Sequence, residues 1–259
     1  AAGGATRRMS AGWRDVWDFD DLELSERRFR ARLEEGGDRA ALLTQLARIE
    51  GLRGDFAAGE RLLAEAEAAG GAEPWVLIER GRLLRSGGDA PAALPLFEAS
   101  FELALAAGDG FLAGDAAHMA ALAGDVEAWT ARGLELADSG GYWRAPLLNN
   151  LGWSRFDGGD FEGALAAFRE ALAVRSEDPV EPHEREIARY AVAKALRALG
   201  RIDEAIAELE RSVAWATDAG VATPLIDEAL DECYAAAGRP ARARTPREAG
   251  PGRLLEPPA

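Results

Sequence analysis

Lysine, cysteine and histidine are nearly absent from this sequence of 259 residues. Lys194 is the single lysine, Cys233 is the single cysteine, and the two histidines are His118 and His183. One cysteine cannot form an intramolecular disulfide. Zinc sites take three or four Cys, His or carboxylate ligands. With one Cys and two His, the sequence argues against a zinc protein.

Sequence motifs of catalysis are also missing. His183-Glu184 begins like a zinc-protease motif, but Ile187 occupies the position of the second histidine. No glycine-rich segment is followed by Lys-Ser or Lys-Thr, as a phosphate-binding loop requires, and no Gly-x-Ser-x-Gly elbow is present. We therefore expect no cofactor, no metal and no enzymatic activity.

The chain further lacks long apolar runs and an excess of positive charge. No run of about 18 apolar residues occurs, which is the length that spans a bilayer. The formal net charge is −15 and the isoelectric point is near 4.7, whereas nucleic-acid binding depends on clustered Lys and Arg. We expect no membrane and no nucleic acid among the partners, a cytoplasmic protein, and a disordered N-terminus over residues 1–12.

The abundant residues favour helices. Apolar residues make up 48% of the chain, and Ala and Leu dominate them while Val, Ile and Thr are few. Unbranched side chains lose little rotamer freedom in a helix. The composition therefore predicts an all-α protein with a substantial core.

A short motif of glycine, a polar residue and an apolar residue recurs along the chain. Its glycines are 34, 36, 35 and 41 residues apart, at Gly54, Gly88, Gly124, Gly159 and Gly200. A left-handed glycine ends one helix, and the Asp that follows in four copies caps the next helix. Two helices joined by so short a turn pack antiparallel. The spacing predicts five helix–turn–helix units.

The best copy of the unit, Asn150 to Leu172, resembles the tetratricopeptide repeat. It has the Leu151-Gly152 pair in the first helix, the turn at Gly159, and then Ala164, Phe168 and Ala171 in the second helix. The resemblance extends over about residues 40 to 237 and implies a right-handed α-solenoid of about five repeats with capping helices at both ends.

The expected boundaries follow from the motif. The five repeats are expected at about residues 40–73, 74–109, 110–144, 145–185 and 186–223. A capping helical segment over 13–39, with Asp20 and Glu23 as a capping pair, precedes them. A capping helix over 224–238 follows, capped by Thr223 with Pro224 as its first residue. The Pro- and Arg-rich residues 239–259 are expected to be disordered.

Alternating small and bulky residues are expected at the helix crossings. Small residues let the two helices of a repeat approach; they are Ala47, Gly81, Ala117, Gly152 and Ala193 in the first helices, and Gly59, Ala93, Ala164 and Ala205 in the second. Bulky residues fill the space to the next repeat, namely Leu63, Phe97, Phe168 and Leu209. In the third unit Trp129 and Gly133 reverse this order. Either the two have exchanged volumes, which predicts an altered crossing angle, or the alignment slips there.

The resemblance also implies where a ligand binds, because first helices line the inner surface in this family. Carrying its binding positions over gives Thr44 and a set of eleven candidate residues: Arg48, Ile78, Arg82, Arg85, His118, Asn149, Trp153, Phe156, Tyr190, Lys194 and Arg197. Cations and aromatics prevail in this set, and Asp157 is almost the only acid until Glu228 and Glu232. The residues are either a functional groove or ordinary exposed positions of amphipathic helices.

These positions support three hypotheses about function. The first is a non-enzymatic scaffold whose groove binds a protein or peptide that is acidic and has hydrophobic anchors. The second is a ligand-sensing regulatory module that acts on a partner in trans. The third is a self-associating protein, such as a homodimer, in which the segment Trp13 to Phe29 of one chain occupies the groove of another. Packing of these aromatics onto the first repeat is the structural alternative.

Overall fold

The computed structural model describes residues 16–136, 142–177 and 182–240, and within these ranges the regular structure is entirely α-helical. This agrees with the all-α prediction. The chain forms two compact units, Ala1–Trp143 and Arg144–Ala259. The predicted disordered segment 1–12 and residues 241–259 of the predicted disordered tail lie outside the described residues. The tail was predicted to begin at Arg239, but Arg239 still packs on the last repeat, since its guanidinium donates to Asp203 at 2.7 Å.

The first unit contains the predicted cap and three helix–turn–helix repeats. Its helices are α1 (Leu22–Glu34), α2 (Arg39–Arg53), α3 (Phe56–Ala69), α4 (Glu73–Ser86), α5 (Ala90–Ala107), α6 (Gly110–Ala123) and α7 (Val126–Leu134). Each helix packs against the next, and the first helices α2, α4 and α6 also pack side by side. The unit therefore has a layer of first helices that carries the predicted inner positions.

The second unit contains two repeats and the predicted final helix. Its helices are α8 (Arg144–Asp157), α9 (Phe161–Glu177), α10 (Pro182–Ala198), α11 (Ile202–Ala219) and α12 (Pro224–Ala236). Consecutive helices again pack together, and α10 also contacts α12. One hydrophobic cluster joins residues of α9 to α12, with Phe168, Leu209 and Leu230 all buried.

The turns between paired helices follow the predicted chemistry in most repeats. Gly54, Gly88, Gly159 and Gly200 have φ between 73° and 93°, which is the left-handed region that glycine tolerates best. The carboxylate of the following Asp accepts a hydrogen bond from an amide of the next helix, as Asp55 does from Ala58 N at 2.8 Å. The fifth repeat has Arg201 at this position, and its side chain makes no capping bond.

The third repeat departs from the others. Gly124 is not left-handed but has φ −145° and ψ −136°, so the prediction for this glycine was wrong. Its second helix, α7, has nine residues, which is half the length of α5. Trp129 is buried in α7 and meets the ring of Phe101 edge-on at 5.3 Å between centroids. The irregular third repeat thus has a bulky indole at the position where the other repeats have a small residue.

The predicted small and bulky positions are buried throughout. Phe97 and Phe168 have no exposed surface, and Ala47, Ala117 and Ala164 are equally buried. A methyl group added at Gly81 or Gly152 would overlap the ring of Phe97 or Phe168, respectively. The glycines therefore permit the closest approach of the two helices in their repeats.

Helices lie at both places where capping helices were expected, α1 and α12. The N-cap of α1 is Asp21, whose carboxylate accepts from Leu24 N at 2.8 Å, rather than Asp20. At the other end, Thr223 and Pro224 take the N-cap and first positions of α12, as expected, although the Thr223 hydroxyl makes no capping bond.

One described helix, α5, has the length and apolar composition of a membrane span. Core helices of soluble proteins share these properties. Glu98 and Glu102 interrupt its apolar sequence, and the helix packs against both α4 and α6. These contacts give α5 the place of a second helix in a repeat.

Candidate functional site

Four charged side chains form a cluster on the first helices of the first unit. Arg82 of α4 donates to Glu79 of its own helix and to Asp115 of α6, both at 2.5 Å. Arg48 of α2 lies 4.0 Å from the same Glu79. Glu79 and Asp115 are almost completely buried, and Arg82 exposes 13% of its side chain. Two cations and two anions thus neutralise each other across three helices.

Burial controls the protonation of this cluster. Loss of hydration raises the pKa of the Glu79 carboxyl. It lowers the pKa of the Arg48 guanidinium, and the positive charge of Arg82 lowers that pKa further. Although burial opposes it, the attraction of Asp115 and Glu79 raises the pKa of Arg82. One oxygen of Glu79, Oε2, has no hydrogen-bond partner among the described residues. Coulomb attraction between the four groups therefore offsets the cost of burying their charges.

Two aromatic side chains from the segment before α1 cover α2. The rings of Trp17 and Phe19 stack with centroids 4.7 Å apart and planes within 4°. The Arg48 guanidinium carbon lies 5.5 Å from each ring centroid, within cation–π range. The indole Nε1 of Trp17 donates to Oε1 of Gln45 at 2.9 Å. The N-terminal segment thus occupies the inner positions of the first repeat.

A second aromatic group covers α6. The Trp143 ring lies 5.3 Å from the His118 ring and packs on Gly114, where a side chain would overlap it. Tyr142 and Phe111 contact Trp143 at 4.9 and 5.5 Å between centroids. Burial lowers the pKa of His118 to about 4, so His118 is neutral near pH 7.

The first unit therefore corrects part of the predicted groove. Ile78 is completely buried and belongs to the core, so it cannot line a surface. Arg82 is committed to Glu79 and Asp115. Arg48 and His118 lie beneath aromatic side chains of the same chain. Arg85 is partly exposed, and no ion pair of Arg85 occurs within residues 16–136.

The second unit presents a different set of predicted residues. Trp153 and Phe156 of α8 are partly exposed and pack against the hydrophobic cluster of this unit, which includes Tyr190 of α10. Their rings meet edge-on at 5.6 Å, and Trp153 lies 5.0 Å from Phe168. The structure thus brings Trp153 and Phe156 together, and Tyr190, at 9% exposure, is buried within the cluster that they pack against.

Polar residues stand one helical turn from these aromatics, with Asn149 and Asn150 before Trp153 on α8 and Lys194 after Tyr190 on α10. The amide Nδ2 of Asn150 is buried and has no acceptor among the described residues, while Asn149 is partly exposed. Lys194 of α10 is partly exposed and forms no ion pair within residues 142–177 and 182–240. Arg197 pairs with Glu232 of α12. The second unit thus has one unpaired cation on α10, and one unsatisfied amide donor on the same helix as the partly exposed Trp153 and Phe156.

The acids Glu79 and Asp115 were missing from the predicted site. Glu79 stands three residues before Arg82, and this spacing is a detectable signal for an ion pair within one helix. Asp115 is 33 residues from Arg82, and no local pattern connects them. The predicted excess of cations on the inner positions was therefore wrong for the first unit, where acids balance them.

These observations define the chain as a helical-repeat protein with one inner layer of first helices in its first unit. Residues 145–178 and 188–218 match the family model of the tetratricopeptide repeat. They correspond to the fourth repeat and most of the fifth. In these two repeats the chain matches the tetratricopeptide family, which the resemblance implied.

Solved structures share the fold at low sequence identity. The chain is similar to BtubC from P. vanneervenii, with 17% identity and a TM-score of 0.58 over 96% of both chains. It is also similar to a chain of the APC/C hetero-tetramer Cut9–Hcn1, with 14% identity and a TM-score of 0.55. That match covers 86% of this chain and 44% of the other, so this chain spans less than half the length of that relative. No curated protein matches the chain.

Proposed function

We propose that this protein is a non-enzymatic scaffold that binds an extended segment of a partner protein on the α8–α10 face, defined here as Asn149, Asn150, Trp153, Phe156 and Lys194. The buried Asn150 amide carries the proposal, because a buried donor without an acceptor is costly and gains a hydrogen bond when a ligand supplies a carbonyl oxygen. An extended peptide has such oxygens in its main chain.

The aromatic residues of the face support a partner with an apolar anchor. Trp153 and Phe156 keep part of their rings in contact with water while their other surfaces pack on the core. Partly exposed aromatic side chains of this kind contribute much of the binding energy of protein interfaces. One structural neighbour, the Cut9–Hcn1 hetero-tetramer, is itself an assembly of two kinds of chain.

The charges of the second unit narrow the expected partner. Lys194 is available for a carboxylate, whereas Arg197 already pairs with Glu232. An apolar anchor followed by one acidic group fits this arrangement better than a strongly acidic segment does. Since only one cation is unpaired, binding is expected to weaken only modestly when the salt concentration rises.

Affinity capture from the native host, followed by mass spectrometry and a binding measurement with the purified partner, tests this proposal. We expect Trp153→Ala, and separately Asn149→Ala with Lys194→Gln, to weaken binding of the partner at least tenfold, which is about 1.4 kcal/mol. The second variant leaves the core intact and separates binding from folding. Glu162→Gln with Arg169→Gln, on the exposed side of α9, is the matched control.

Circular dichroism must show that each variant remains helical. If both variants of the α8–α10 face bind the partner as tightly as the control does, the binding surface lies elsewhere on the chain.

A further inference from the structure

A segment of the chain's own tail has the chemistry expected of a partner of the α8–α10 face. Leu254 and Leu255 are followed directly by Glu256, so two apolar side chains precede one acidic group. These residues lie outside the described part of the chain. We infer that this tail segment, residues 254–256, docks on the α8–α10 face and occupies it when no partner is bound. The inference rests on the proposed function and adds regulation to the same site.

The face has one group for each part of the tail segment. Trp153 and Phe156 keep part of their rings in contact with water, and leucine side chains cover such rings. The buried Nδ2 of Asn150 has no acceptor among the described residues, and a main-chain carbonyl oxygen of the tail supplies one. Lys194 forms no ion pair in the described part of the second unit, so its ammonium group is available for Glu256.

The chain leaves the described structure at an end of the second unit from which the face is within reach. Arg239 donates to Asp203 at 2.7 Å, and Asp203 lies in the first turn of α11, just after the C-terminal end of α10. Because alternate helices run in the same direction, Phe156 of α8 also lies at this end. Leu254 follows Pro240 by 14 residues, which span up to about 45 Å, whereas two steps between neighbouring first helices cover about 20 Å.

The charges of the tail and of α12 are complementary. Residues 241–259 contain four arginines and two glutamates, a net charge of +2 in a chain of net charge −15. The helix α12 contains four acids and no base. Burial, and after it the charges of Glu232 and Glu228, raise the pKa of Tyr190, so these two acids act on the α10 side of α12. Attraction of the tail arginines to α12 therefore raises the local concentration of residues 254–256 at the face.

Zero-length crosslinking of the full chain tests the inference. A carbodiimide joins an amine to a carboxylate in contact with it, and Lys194 carries the only side-chain amine of the chain. We expect an amide bond between Lys194 and Glu256 in the monomer fraction, identified by mass spectrometry after proteolysis. The readout is the yield of this product.

Variants of the tail separate docking from mere tethering. Leu254→Ser with Leu255→Ser alters no residue of the repeats and is expected to lower the yield at least roughly tenfold, because the segment loses its apolar anchor. Glu248→Gln, which removes the other tail carboxylate, is the matched control and is expected to leave the yield unchanged. The serine variant is also expected to bind the partner more tightly than the unmodified chain does, because a larger fraction of its faces is open.

Three outcomes would overturn the inference. The first is the absence of the Lys194–Glu256 product. The second is an equal yield from the serine variant, because a tether alone would then bring the two residues together. The third is a product found only in a crosslinked dimer, because the segment would then dock on a second copy of this chain.

The outcomes also separate this inference from the proposed function. A partner that binds the α8–α10 face, together with any of the three outcomes, overturns the inference and leaves the proposed function in place. A leucine-dependent product in the monomer supports the inference, even if no partner is captured.

Discussion

At the residue scale, the packing of two repeats depends on a glycine that faces an aromatic ring. Gly81 faces Phe97 in the second repeat, and Gly152 faces Phe168 in the fourth. In each pair, the ring fills the space that a side chain on the glycine would take. Protein interiors have few voids to absorb a change at such a site.

Truncation of Phe168 tests the depth of this packing. Phe168 has no exposed surface, and we expect Phe168→Ala to lower the free energy of unfolding by about 3 to 5 kcal/mol, because it removes buried apolar surface and leaves a cavity. Urea denaturation followed by circular dichroism measures the change. Leu105→Ala, at a side chain 40% exposed, is the control and is expected to change stability much less. A loss below about 1 kcal/mol for Phe168→Ala would contradict the register of the repeats.

Substitution of Gly152 tests the other half of the pair. Gly152→Ala is expected to destabilise the protein by about 1 to 3 kcal/mol, because the new methyl group overlaps the Phe168 ring. Combining it with Phe168→Leu, which shortens the facing side chain, should recover part of this loss, and a double-mutant cycle measures the coupling. Strict additivity of the two changes would show that the residues do not meet.

These residue contacts could be predicted only where the repeat placed them in register. The small and bulky positions of every repeat but the third follow from one motif and its spacing. The ion pair of Arg82 with Asp115 joins two repeats, and the cover of Arg48 comes from a segment outside the repeats. Neither repeat periodicity nor local spacing carries this information.

At the element scale, each helix pair is organised by its turn. A left-handed glycine ends the first helix, and the Asp after it caps the second, as at Gly88 and Asp89. The predicted left-handed glycine is present in four of five repeats, and Arg201 takes the place of the capping Asp in the fifth. The exception, Gly124, keeps the capping Asp125 but has a different backbone conformation. The motif specifies the residue, whereas the backbone angle also depends on the helices that the turn joins.

The capping residue of α5 gives a direct test of this turn. Asp89 accepts from Ala92 N at 3.1 Å, and Asp89→Ala is expected to lower the free energy of unfolding by about 1 kcal/mol because the amide loses its acceptor. Asp89→Asn retains a side-chain oxygen in the same position and is expected to have little effect. Urea denaturation measures the stability of both variants. Equal stability of Asp89→Ala and Asp89→Asn would contradict the capping role.

At the scale of the whole molecule, the formal charge of −15 does not describe the inner layer of the first unit. There, Arg48 and Arg82 balance Glu79 and Asp115, and aromatic side chains cover the cluster at α2 and α6. The helical-repeat fold, and the family match of the fourth and fifth repeats, could be predicted from the repeated motif. Whether the inner face of a repeat is open or covered could not be predicted from that motif, because it depends on segments that lie outside the repeats.

The covered inner layer also predicts a pH dependence of stability through His118. Its pKa is lowered from 6.5 to about 4 by burial, and Asp115, Arg82, Arg85 and Arg48 act on it electrostatically. Between these two pH values, the unfolded chain binds a proton that the folded chain does not. Stability is therefore lost as the pH falls through about 6.5, and this loss levels off near pH 4.

We expect His118 to account for a decrease of about 1.3 kcal/mol in the free energy of unfolding between about pH 7.5 and pH 5.5. Burial raises the pKa of Glu79, and this carboxyl acts in the opposite direction, since its contribution falls as the pH rises. The measurement is therefore the difference between the unmodified chain and His118→Phe, by urea denaturation at several pH values. The aromatic replacement preserves the contact with Trp143 and removes the titrating nitrogen. Parallel pH profiles for the two proteins would show that His118 takes up protons equally well in the folded and unfolded states, and would contradict its burial beneath Trp143.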